Sequence, residues 1–276
     1  MPATGPTRAA VCTLLAALLA LAGCGGSAHT PAATPAPERT PTPRTDPATM
    51  AARANVPVLC WHQIRAATAR DSARDRTYIV TPKTLAAQLG ALDRAGYHPI
   101  TGPALVAHVA LGKRLPRKPV LLTFDDASAG QYTRALPLLR RHHFVATFFV
   151  MTVVLDKPGW LTSGQVRRLD LAGMTIAPHT YDHHAVPQYR GEEWHTQLVA
   201  PAAKLAKLVG HPVRLFAYPF GLWSPEAFAH LDDAGYVAAF QLAGKLDPRH
   251  PLWTLRRIIV PELSGRELLA TIRRDF

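Results

Sequence analysis

Two adjacent carboxylates follow a strongly apolar run in the middle of the chain. Asp125 and Asp126 come directly after Pro119–Phe124, so a buried strand would end at two acidic side chains. Charged groups are costly to bury, and a divalent cation is one way to stabilise them. Because side chains alternate along a strand, the two carboxylates point to opposite sides. One of them can therefore bind a metal while the other stays free as a base.

A group of histidines follows a later apolar run. His179, His183 and His184 lie close together in the sequence. Two imidazoles and one carboxylate leave positions open for water and substrate, which is typical of a catalytic rather than a structural metal site. A metal held in this way polarises a carbonyl and makes water more acidic. A backbone N–H near Phe220 can then stabilise the oxyanion that forms on the attacked carbonyl.

Short apolar runs alternate with amphipathic stretches from residue 56 to residue 276. The predicted strands cover 56–61, 119–124, 146–151, 174–177, 215–218, 237–242 and 257–260. The predicted helices cover 82–95, 103–111, 131–142, 162–172, 191–209, 225–234 and 265–274. Strands separated by helices indicate parallel βαβ units, and their number favours a barrel over an open sheet. A glycine-rich phosphate loop follows none of these strands, which counts against a nucleotide-binding fold.

The polar candidates fall at or just after the ends of predicted strands. His62, the two aspartates, His179 and the segment before Phe220 share this position. In a parallel barrel the carboxyl ends of the strands converge on one face, where active sites are built. Each feature alone has a common structural explanation, because paired aspartates often cap helices and histidines are frequent in exposed loops. Their combination favours one shared metal site.

The first residues of the chain predict export. Arg8 precedes an apolar run from Ala9 to Ala22, which is shorter than the roughly 20 residues that a membrane-spanning helix needs. This pattern is typical of a secretory signal peptide, predicted over residues 1–23. The sequence from Leu21 to Cys24 resembles the lipobox of bacterial lipoproteins, in which the cysteine carries lipid. We expect an exported protein anchored to the cell membrane through Cys24 and facing the extracytoplasmic side, with an ordinary signal peptide as the alternative.

Composition separates a linker from a folded domain. Residues 24–55 are rich in proline, alanine and threonine, and they predict a disordered linker before a single domain over residues 56–276. Cys60 is the only cysteine of that domain, and we expect it to be buried and unpaired. The formal net charge is +12, which raises nucleic-acid binding as an alternative. Since the basic residues are scattered, we expect no nucleic-acid partner and an attraction to anionic lipids or wall polymers. We also expect a monomer.

Three separated motifs resemble those of the polysaccharide deacetylase family, which is also known as the NodB-homology domain or carbohydrate esterase family 4. They cover residues 123–126, 179–183 and 216–221, and the resemblance extends over about 56–276. It implies an α/β fold, a distorted (β/α)7-type barrel, that removes acetyl groups from carbohydrates with a metal. By position, the resemblance implies that Asp125 is the general base and that the Phe220 amide donates to the oxyanion. It also implies that Asp126, His179 and His183 bind a divalent metal, which is Zn²⁺ or else Co²⁺ or Ni²⁺.

The chain departs from the family pattern in several places. The family's glycine after the two aspartates is Ala127, and the arginine that orients the base in its third motif is Ala217. The late Leu-x-His motif, which supplies the general acid, is not evident. These departures resemble the branch that acts on poly-β-1,6-N-acetylglucosamine, which has an N-terminal element similar to residues 59–62. The resemblance suggests His62 as general acid or substrate contact and Arg257 as the replacement for the missing arginine.

Several assignments stay open at this point. The second histidine ligand is His183 by the usual spacing, or His184 by the longer spacing of some members. Trp160, Tyr181 and Trp223 are candidates for stacking on a sugar, with core packing as the alternative. The hypothesis is a hydrolase that removes N-acetyl groups from an N-acetylglucosamine-containing polysaccharide of the envelope or the extracellular matrix. The alternative is a catalytically decayed lipoprotein that binds carbohydrate on the same scaffold.

Overall fold

Parallel strands alternate with helices in the computed structural model, which describes residues 45–276. The strands are β1 (Val58–Trp61), β2 (Gln63–Ile64), β3 (Ile79–Val80), β4 (His98–Ile100), β5 (Pro119–Asp125), β6 (Thr147–Val150), β7 (Thr175–Pro178), β8 (Leu215–Ala217), β9 (Ala238–Phe240) and β10 (Ile258–Ile259). The helices are α1 (Pro47–Arg53), α2 (Ala73–Arg76), α3 (Pro82–Arg94), α4 (Gly102–Leu111), α5 (Leu136–Arg141), α6 (Ser163–Leu171), α7 (Ala200–Val209), α8 (Glu226–Asp233) and α9 (Gly265–Asp275).

The main sheet is parallel and has the strand order β10-β1-β5-β6-β7, with β4 paired to the first residues of β5. Strands β8 and β9 form a separate parallel pair, and β2 and β3 form another. Strand β8 contacts β7, although no ladder joins these two strands. The predicted α/β class with a parallel sheet is therefore confirmed.

Strand β5 separates two apolar layers and thereby fixes the side on which its last residue lies. Leu122 and Phe124 pack into the layer beneath the helices. Leu121 packs on the opposite side with Phe149 and Phe240. Successive side chains alternate between the two sides of a strand, so Asp125 lies on the same side as Leu121, which is the side of Phe149 and Phe240.

Several helix starts follow from capping side chains that the sequence displays. Thr81 accepts a hydrogen bond from the Thr84 amide, and a proline follows Thr81 in the first turn of α3. Thr162 and Ser264 each form a capping box at the starts of α6 and α9. Such caps satisfy amides that have no partner within the helix, which is why these predicted starts agree with the structure within one residue.

Two predicted helices differ from regular α-helices. Residues 131–135 and 195–199 form π-helical turns ahead of α5 and α7. Each of these α-helices has a proline in its first turn, Pro137 and Pro201. Proline has no N–H to donate to the preceding turn, so the wider turn occurs where the regular bonding pattern is interrupted. The second of these helices also begins at residue 193, later than the predicted residue 191.

The prediction of a disordered linker over residues 24–55 is wrong for its last part. Residues Pro47–Arg53 form α1, which Asp46 caps and which packs against α4. The Thr45 hydroxyl donates to the Ala110 carbonyl at 2.6 Å, and the Asn55 side chain donates to the Phe276 carbonyl at 3.1 Å. The predicted signal peptide, Cys24 and the rest of the linker lie outside the described residues. Over residues 45–276, every helix is too short or too polar to cross a bilayer.

Candidate active site

Most of the predicted site residues converge at the carboxyl ends of β1, β5, β7 and β8, and Arg257, which precedes β10, joins them. They line one cavity with a volume of about 260 Å³. Its lining includes His62, Asp125, Asp126, His179, His183, Tyr218, Phe220 and Arg257. The convergence follows from the parallel topology, because these strands all end on the same side of the sheet.

Asp126, His179 and His183 enclose a space that fits one metal ion. The Asp126 Oδ1 atom lies 3.5 Å from His179 Nε2 and 3.6 Å from His183 Nε2. Ligand atoms about 2 Å from a tetrahedral ion lie roughly 3.3 Å apart, close to these separations. Asp126 Oδ1 is also buried without a hydrogen-bond partner in the described part of the chain. A divalent cation would supply the missing partner, so the residues present fit the group.

The protonation states of the two histidines also suit a metal. His179 Nδ1 lies 2.8 Å from the Ala217 carbonyl oxygen. Because a carbonyl only accepts, Nδ1 carries the proton and Nε2 presents its lone pair toward Asp126. Burial lowers the pKa of His179 to about 3, and burial also lowers the pKa of His183. Both imidazoles are therefore neutral at neutral pH, which is the form that binds a metal.

The carboxyl of Asp126 makes no ion pair with a lysine or arginine among the described residues, and the Arg257 charge only partly offsets its burial. Burial and the nearby charge of Asp125 raise the pKa of Asp126 to about 7. A group in this state gains from any cation that binds it, because the cation favours the ionised form. Asp126 is thus suited to hold a metal.

Asp125 differs from Asp126 because its carboxylate forms a buried ion pair with Arg257. Arg257 Nη1 lies 2.7 Å from Asp125 Oδ1, and Nη2 lies 2.8 Å from Oδ2. Arg257 Nε donates to the Gln241 carbonyl at 3.0 Å, and both side chains are buried. Burial opposes the ionisation of Asp125, but the Arg257 charge outweighs burial and holds the pKa of Asp125 well below its usual range. Asp125 therefore stays ionised, and Arg257 makes the contact predicted from the departure at Ala217.

A second group of potential ligand atoms lies beside Asp125. Atoms of Cys60, His62 and Asp125 lie within 4.8 Å of one another. Arg257 Nη1 is 3.5 Å from Cys60 Sγ and also donates to Asp125. Because a guanidinium already supplies the positive charge, this group is a poor cation site. Burial raises the pKa of the Cys60 thiol well above its ordinary value, so Cys60 is a neutral, buried and unpaired residue, as predicted.

His62 lines the cavity close to Asp125. Its carbonyl accepts hydrogen bonds from Gln131 Nε2 at 2.9 Å and from the Ser128 hydroxyl at 3.1 Å, and its ring packs edge-on against Tyr78. Burial lowers the pKa of His62 to about 4, so the imidazole is neutral at neutral pH. Its Nδ1 atom is buried without a partner among the described residues. The neutral ring can accept a proton or contact a substrate.

Phe220 lies in the turn that follows β8. Its φ angle of 58° is in the left-handed region, and its ring packs edge-on against His183 with centroids 4.4 Å apart. The side chain is 52% exposed, which indicates that the contact forms at the rim of the cavity. The tight turn brings this backbone segment beside the predicted metal ligands.

The structure separates His183 from His184. The imidazole of His184 lies 2.9 Å from Glu193 Oε1 through Nδ1 and 2.9 Å from Gln188 Oε1 through Nε2. Both ring nitrogens of His184 are thus engaged away from the cavity. His183 is the histidine that adjoins Asp126.

The three candidate stacking residues differ in position. Trp223 packs against Phe228 with ring centroids 5.4 Å apart, so core packing accounts for it. Tyr181 is 39% exposed, and it does not line the catalytic cavity. Trp160 lines a neighbouring cavity instead.

The departure from the family pattern at Ala127 lies in a pair of consecutive residues with left-handed backbone. Asp126 has a φ angle of 77° and Ala127 has one of 74°. Glycine adopts this conformation freely, whereas a residue with Cβ loses roughly 1–2 kcal/mol. The buried Ala127 methyl group packs into the apolar layer beneath the helices, and the Ala127 carbonyl accepts from the Leu161 amide at 2.9 Å. These contacts offset part of the conformational cost.

The segment between β1 and α3 contributes residues that the sequence analysis missed. Gln63, Arg74, Asp75 and Tyr78 line the catalytic cavity. They belong to β2, to α2 and to the residue before β3, which are too short for a periodic pattern. The spacing of Ser72 and Asp75, which form a capping box, is the one signal that indicates the helix here.

The chain is similar to several known proteins. Residues 112–239 match the family model described as polysaccharide deacetylase. The chain is 24% identical over 200 residues to a poly-β-1,6-N-acetyl-D-glucosamine N-deacetylase of Staphylococcus epidermidis, with 67% of this chain and 69% of that protein aligned. It is 23% identical over 246 residues to the enzyme of the same name from Escherichia coli, with 73% of this chain and 36% of that protein aligned.

The fold is also similar to that of a solved structure. Alignment with the Streptococcus pyogenes deacetylase PplD gives a TM-score of 0.70 at 24% identity, and it covers 79% of this chain and 97% of that chain. The matched family region contains Asp125, Asp126, His179 and His183, whereas His62 and Arg257 lie outside it. The resemblance inferred from the three motifs is thereby confirmed.

Proposed function

We propose that this chain, which carries a polysaccharide deacetylase domain and is a hydrolase acting on amide bonds, removes N-acetyl groups with the help of a divalent metal. Its proposed substrate is an N-acetylglucosamine-containing polysaccharide outside the cytoplasm. One observation supports this proposal above all others. Asp126 and two neutral histidines enclose a space for one cation, while Arg257 holds Asp125 apart from them.

Three residues would hold the metal. Asp126, His179 and His183 supply one carboxylate and two imidazoles, a donor set typical of zinc and similar ions. A bound cation polarises the acetamide carbonyl and increases the acidity of water. The hydrogen bond from His179 Nδ1 to the Ala217 carbonyl fixes the ring orientation that this binding needs.

Asp125 is proposed as the general base. Its carboxylate is ionised, and Arg257 engages each oxygen from one direction, which leaves acceptor capacity for the proton of an attacking water. Asp125 Oδ2 is 3.8 Å from His179 Nε2, so the base adjoins the space that the ligands enclose. The two bonds from Arg257 also prevent Asp125 from rotating toward the cation. Arg257 is therefore proposed as the positioning residue of the base.

His62 is proposed to deliver a proton to the leaving nitrogen or to contact the substrate. Because its pKa is about 4, the resting imidazole carries no proton to give at neutral pH. It must first receive one during the reaction, and a ring nitrogen of His62 lies within 4.8 Å of an Asp125 oxygen. Delivery to the amine would complete breakage of the C–N bond. The Phe220 amide is proposed to donate to the oxyanion of the tetrahedral intermediate.

The proposed polymer is poly-β-1,6-N-acetylglucosamine. The relatives from Staphylococcus epidermidis and Escherichia coli carry that substrate in their names. The predicted signal peptide and lipidation of Cys24 would bring the enzyme to the outer side of the cell membrane, where such polymers occur. Peptidoglycan strands are the principal alternative substrate.

Acetate release from a panel of glycans tests this proposal. Purified protein is treated with Zn²⁺ and incubated with N-acetylglucosamine oligomers in β-1,6 and β-1,4 linkage and with peptidoglycan fragments. We expect acetate from the β-1,6 oligomers, and we expect Asp125→Asn to abolish it. The exposed variant Arg266→Gln is the matched control and should retain activity. Glycan binding without acetate release or stoichiometric metal would contradict the proposal and support a carbohydrate-binding lipoprotein.

A further inference from the structure

Gln131 is a buried residue that bridges the two strand ends carrying Asp125 and His62. It begins the π-helical turn over residues 131–135 and does not line the catalytic cavity. Its side-chain nitrogen donates to two backbone carbonyls, that of His62 at 2.9 Å and that of Asp125. Because carbonyl oxygens only accept, the nitrogen of the amide and not its oxygen must face them. One amide group thus joins the proposed base to the residue proposed to deliver the proton.

This bridge lies just past the point where the ladder between β1 and β5 ends. The last residue pair of that ladder is Trp61 with Phe124. The residues that follow are His62 and Asp125, and after His62 the chain enters β2, which pairs with β3 in a separate sheet. Beyond the last pair, the two N–H groups of the Gln131 amide therefore hold the two backbones side by side.

The surroundings of Gln131 are tightly packed and not fully satisfied. A Cβ atom at Gly130 would collide with the Ile64 carbonyl, so the backbone before Gln131 approaches β2 as closely as glycine allows. The Oε1 atom of Gln131 is buried without a hydrogen-bond partner among residues 45–276. A buried acceptor without a partner destabilises a fold. The presence of this amide is explained by what its two N–H groups hold in place.

The position of His62 depends on this bridge more than the position of Asp125 does. Arg257 fixes the Asp125 carboxylate through two hydrogen bonds of its own. His62 has no comparable partner for its ring, because its Nδ1 atom is buried without one among the described residues. A ring nitrogen of His62 lies within 4.8 Å of an Asp125 oxygen. Since proton transfer requires the two groups within reach of each other, a shift of the His62 backbone would slow this transfer.

We propose that Gln131 is a positioning residue, which sets the gap between Asp125 and His62 across which a proton reaches the leaving nitrogen. This inference rests on the proposed function. In that reaction the water oxygen bonds to the acetyl carbon while Asp125 takes one proton of the water. His62 passes this proton to the nitrogen, and the C–N bond breaks to give an amine and acetic acid. Gln131 acts on these steps through the two backbones and not by touching the substrate.

Two substrates with different leaving groups provide the test. An N-acetylated oligomer releases a nitrogen that needs a proton, whereas 4-nitrophenyl acetate releases a phenolate that needs none. Gln131→Met keeps the length of the side chain and removes both N–H groups. We expect it to lower kcat about tenfold or more on the oligomer but less than about threefold on the ester, with KM and metal content retained.

A second buried glutamine provides the matched control. Gln88 also donates to two backbone carbonyls, those of Pro261 and Leu263, and it does not line the catalytic cavity. Gln88→Met should therefore lower the stability of the protein but leave the ratio of the two kcat values unchanged. Gln131→Asn keeps the amide on a shorter side chain that cannot reach both carbonyls, so it should show the same selective loss as Gln131→Met.

A double-mutant cycle separates positioning of His62 from a general loss of structure. His62→Gln removes the proton carrier, so adding Gln131→Met to it should cause no further loss of kcat on the oligomer. Losses that multiply, equal losses on both substrates, or an unchanged kcat would each overturn the inference and leave the function standing. If urea unfolding shows that neither Gln131 variant folds, the amide serves the fold and the inference is likewise overturned. Absence of acetate release from wild type on every oligomer would instead overturn the proposed function.

Discussion

The Arg257 guanidinium donates two hydrogen bonds to the Asp125 carboxylate, 132 residues earlier in the chain. Asp125 ends β5, Arg257 precedes β10, and β1 lies between these two strands. The bond geometry is bidentate, which fixes both the charge and the orientation of the carboxylate. The proposed base is thus positioned by the residue that precedes β10 rather than by the segment that contains Ala217.

Replacing Arg257 should destabilise the protein strongly. Arg257→Leu would leave the buried Asp125 carboxylate without a counter-charge, and removal of one partner from a buried pair costs about 3–5 kcal/mol. Arg257→Lys keeps the charge but loses one of the two bonds, so we expect an intermediate loss. Urea unfolding measures both effects, with the exposed Arg266→Gln as the control. An Arg257→Leu variant as stable as wild type would contradict a tightly coupled pair.

Variants of the two adjacent aspartates should differ in their metal content. Asp125→Asn removes the proposed base but none of the proposed ligands, so we expect about 10²-fold or greater loss of kcat with metal content retained. Asp126→Asn removes a ligand, so we expect loss of both metal and activity. Metal stoichiometry after dialysis and acetate release together measure the difference. Equal metal loss in both variants would show that Asp125 also binds the ion.

His183 and His184 form a matched pair for testing the second imidazole ligand. His183→Ala should reduce Zn²⁺ binding severely, because its Nε2 adjoins Asp126. His184→Ala should retain the metal, because this imidazole contacts Glu193 and Gln188 instead. Titration with Zn²⁺ monitored by calorimetry distinguishes the two. The reverse result would assign the ligand to His184.

The neutral state of His62 predicts a pH dependence of stability. The folded-state pKa of His62 is about 4, whereas the ordinary pKa of a histidine side chain is 6.5. The unfolded chain therefore binds the proton more readily, so this contribution is complete above pH 6.5 and is lost as the pH falls toward 4. The contribution amounts to about 3 kcal/mol.

Unfolding by urea between pH 4 and pH 7 tests the effect of His62. His62→Gln lacks the titrating ring and should show a smaller loss of stability toward acid pH than wild type. The shifts of His179 and Asp126 are common to both proteins, so the difference between the two curves isolates His62. Parallel curves would mean that His62 binds its proton equally well in the folded and the unfolded protein.

Helices and strands that have a local sequence pattern were predictable from the sequence. The apolar run of β5 and the capping side chain of Thr81 identify their elements by local pattern alone. The convergence of Asp126 and His179 follows from one topological rule, because parallel strands end on one side. The motifs at these strand ends therefore predicted the candidate metal ligands without coordinates.

Features that depend on contacts between distant short segments were not predictable to the same degree. Strands β2 and β3 have two residues each, so they show no periodicity, and the cavity wall that they form was missed. Helix α1 was assigned to the linker because its composition is that of the linker, and its packing on α4 depends on tertiary contact. The bidentate geometry of Arg257 required the pairing of β10 with β1.

The late position of Arg257 has a consequence for how the chain matures. Because synthesis proceeds from the N-terminus, Asp125 is present well before its counter-ion emerges. Until then, burial of the carboxylate is unfavourable, and the centre of the sheet lacks a partner for its most polar residue. Truncation anywhere before β10 would thus remove more than an edge strand. Such a truncated chain would carry the proposed metal ligands but not the counter-ion of the proposed base.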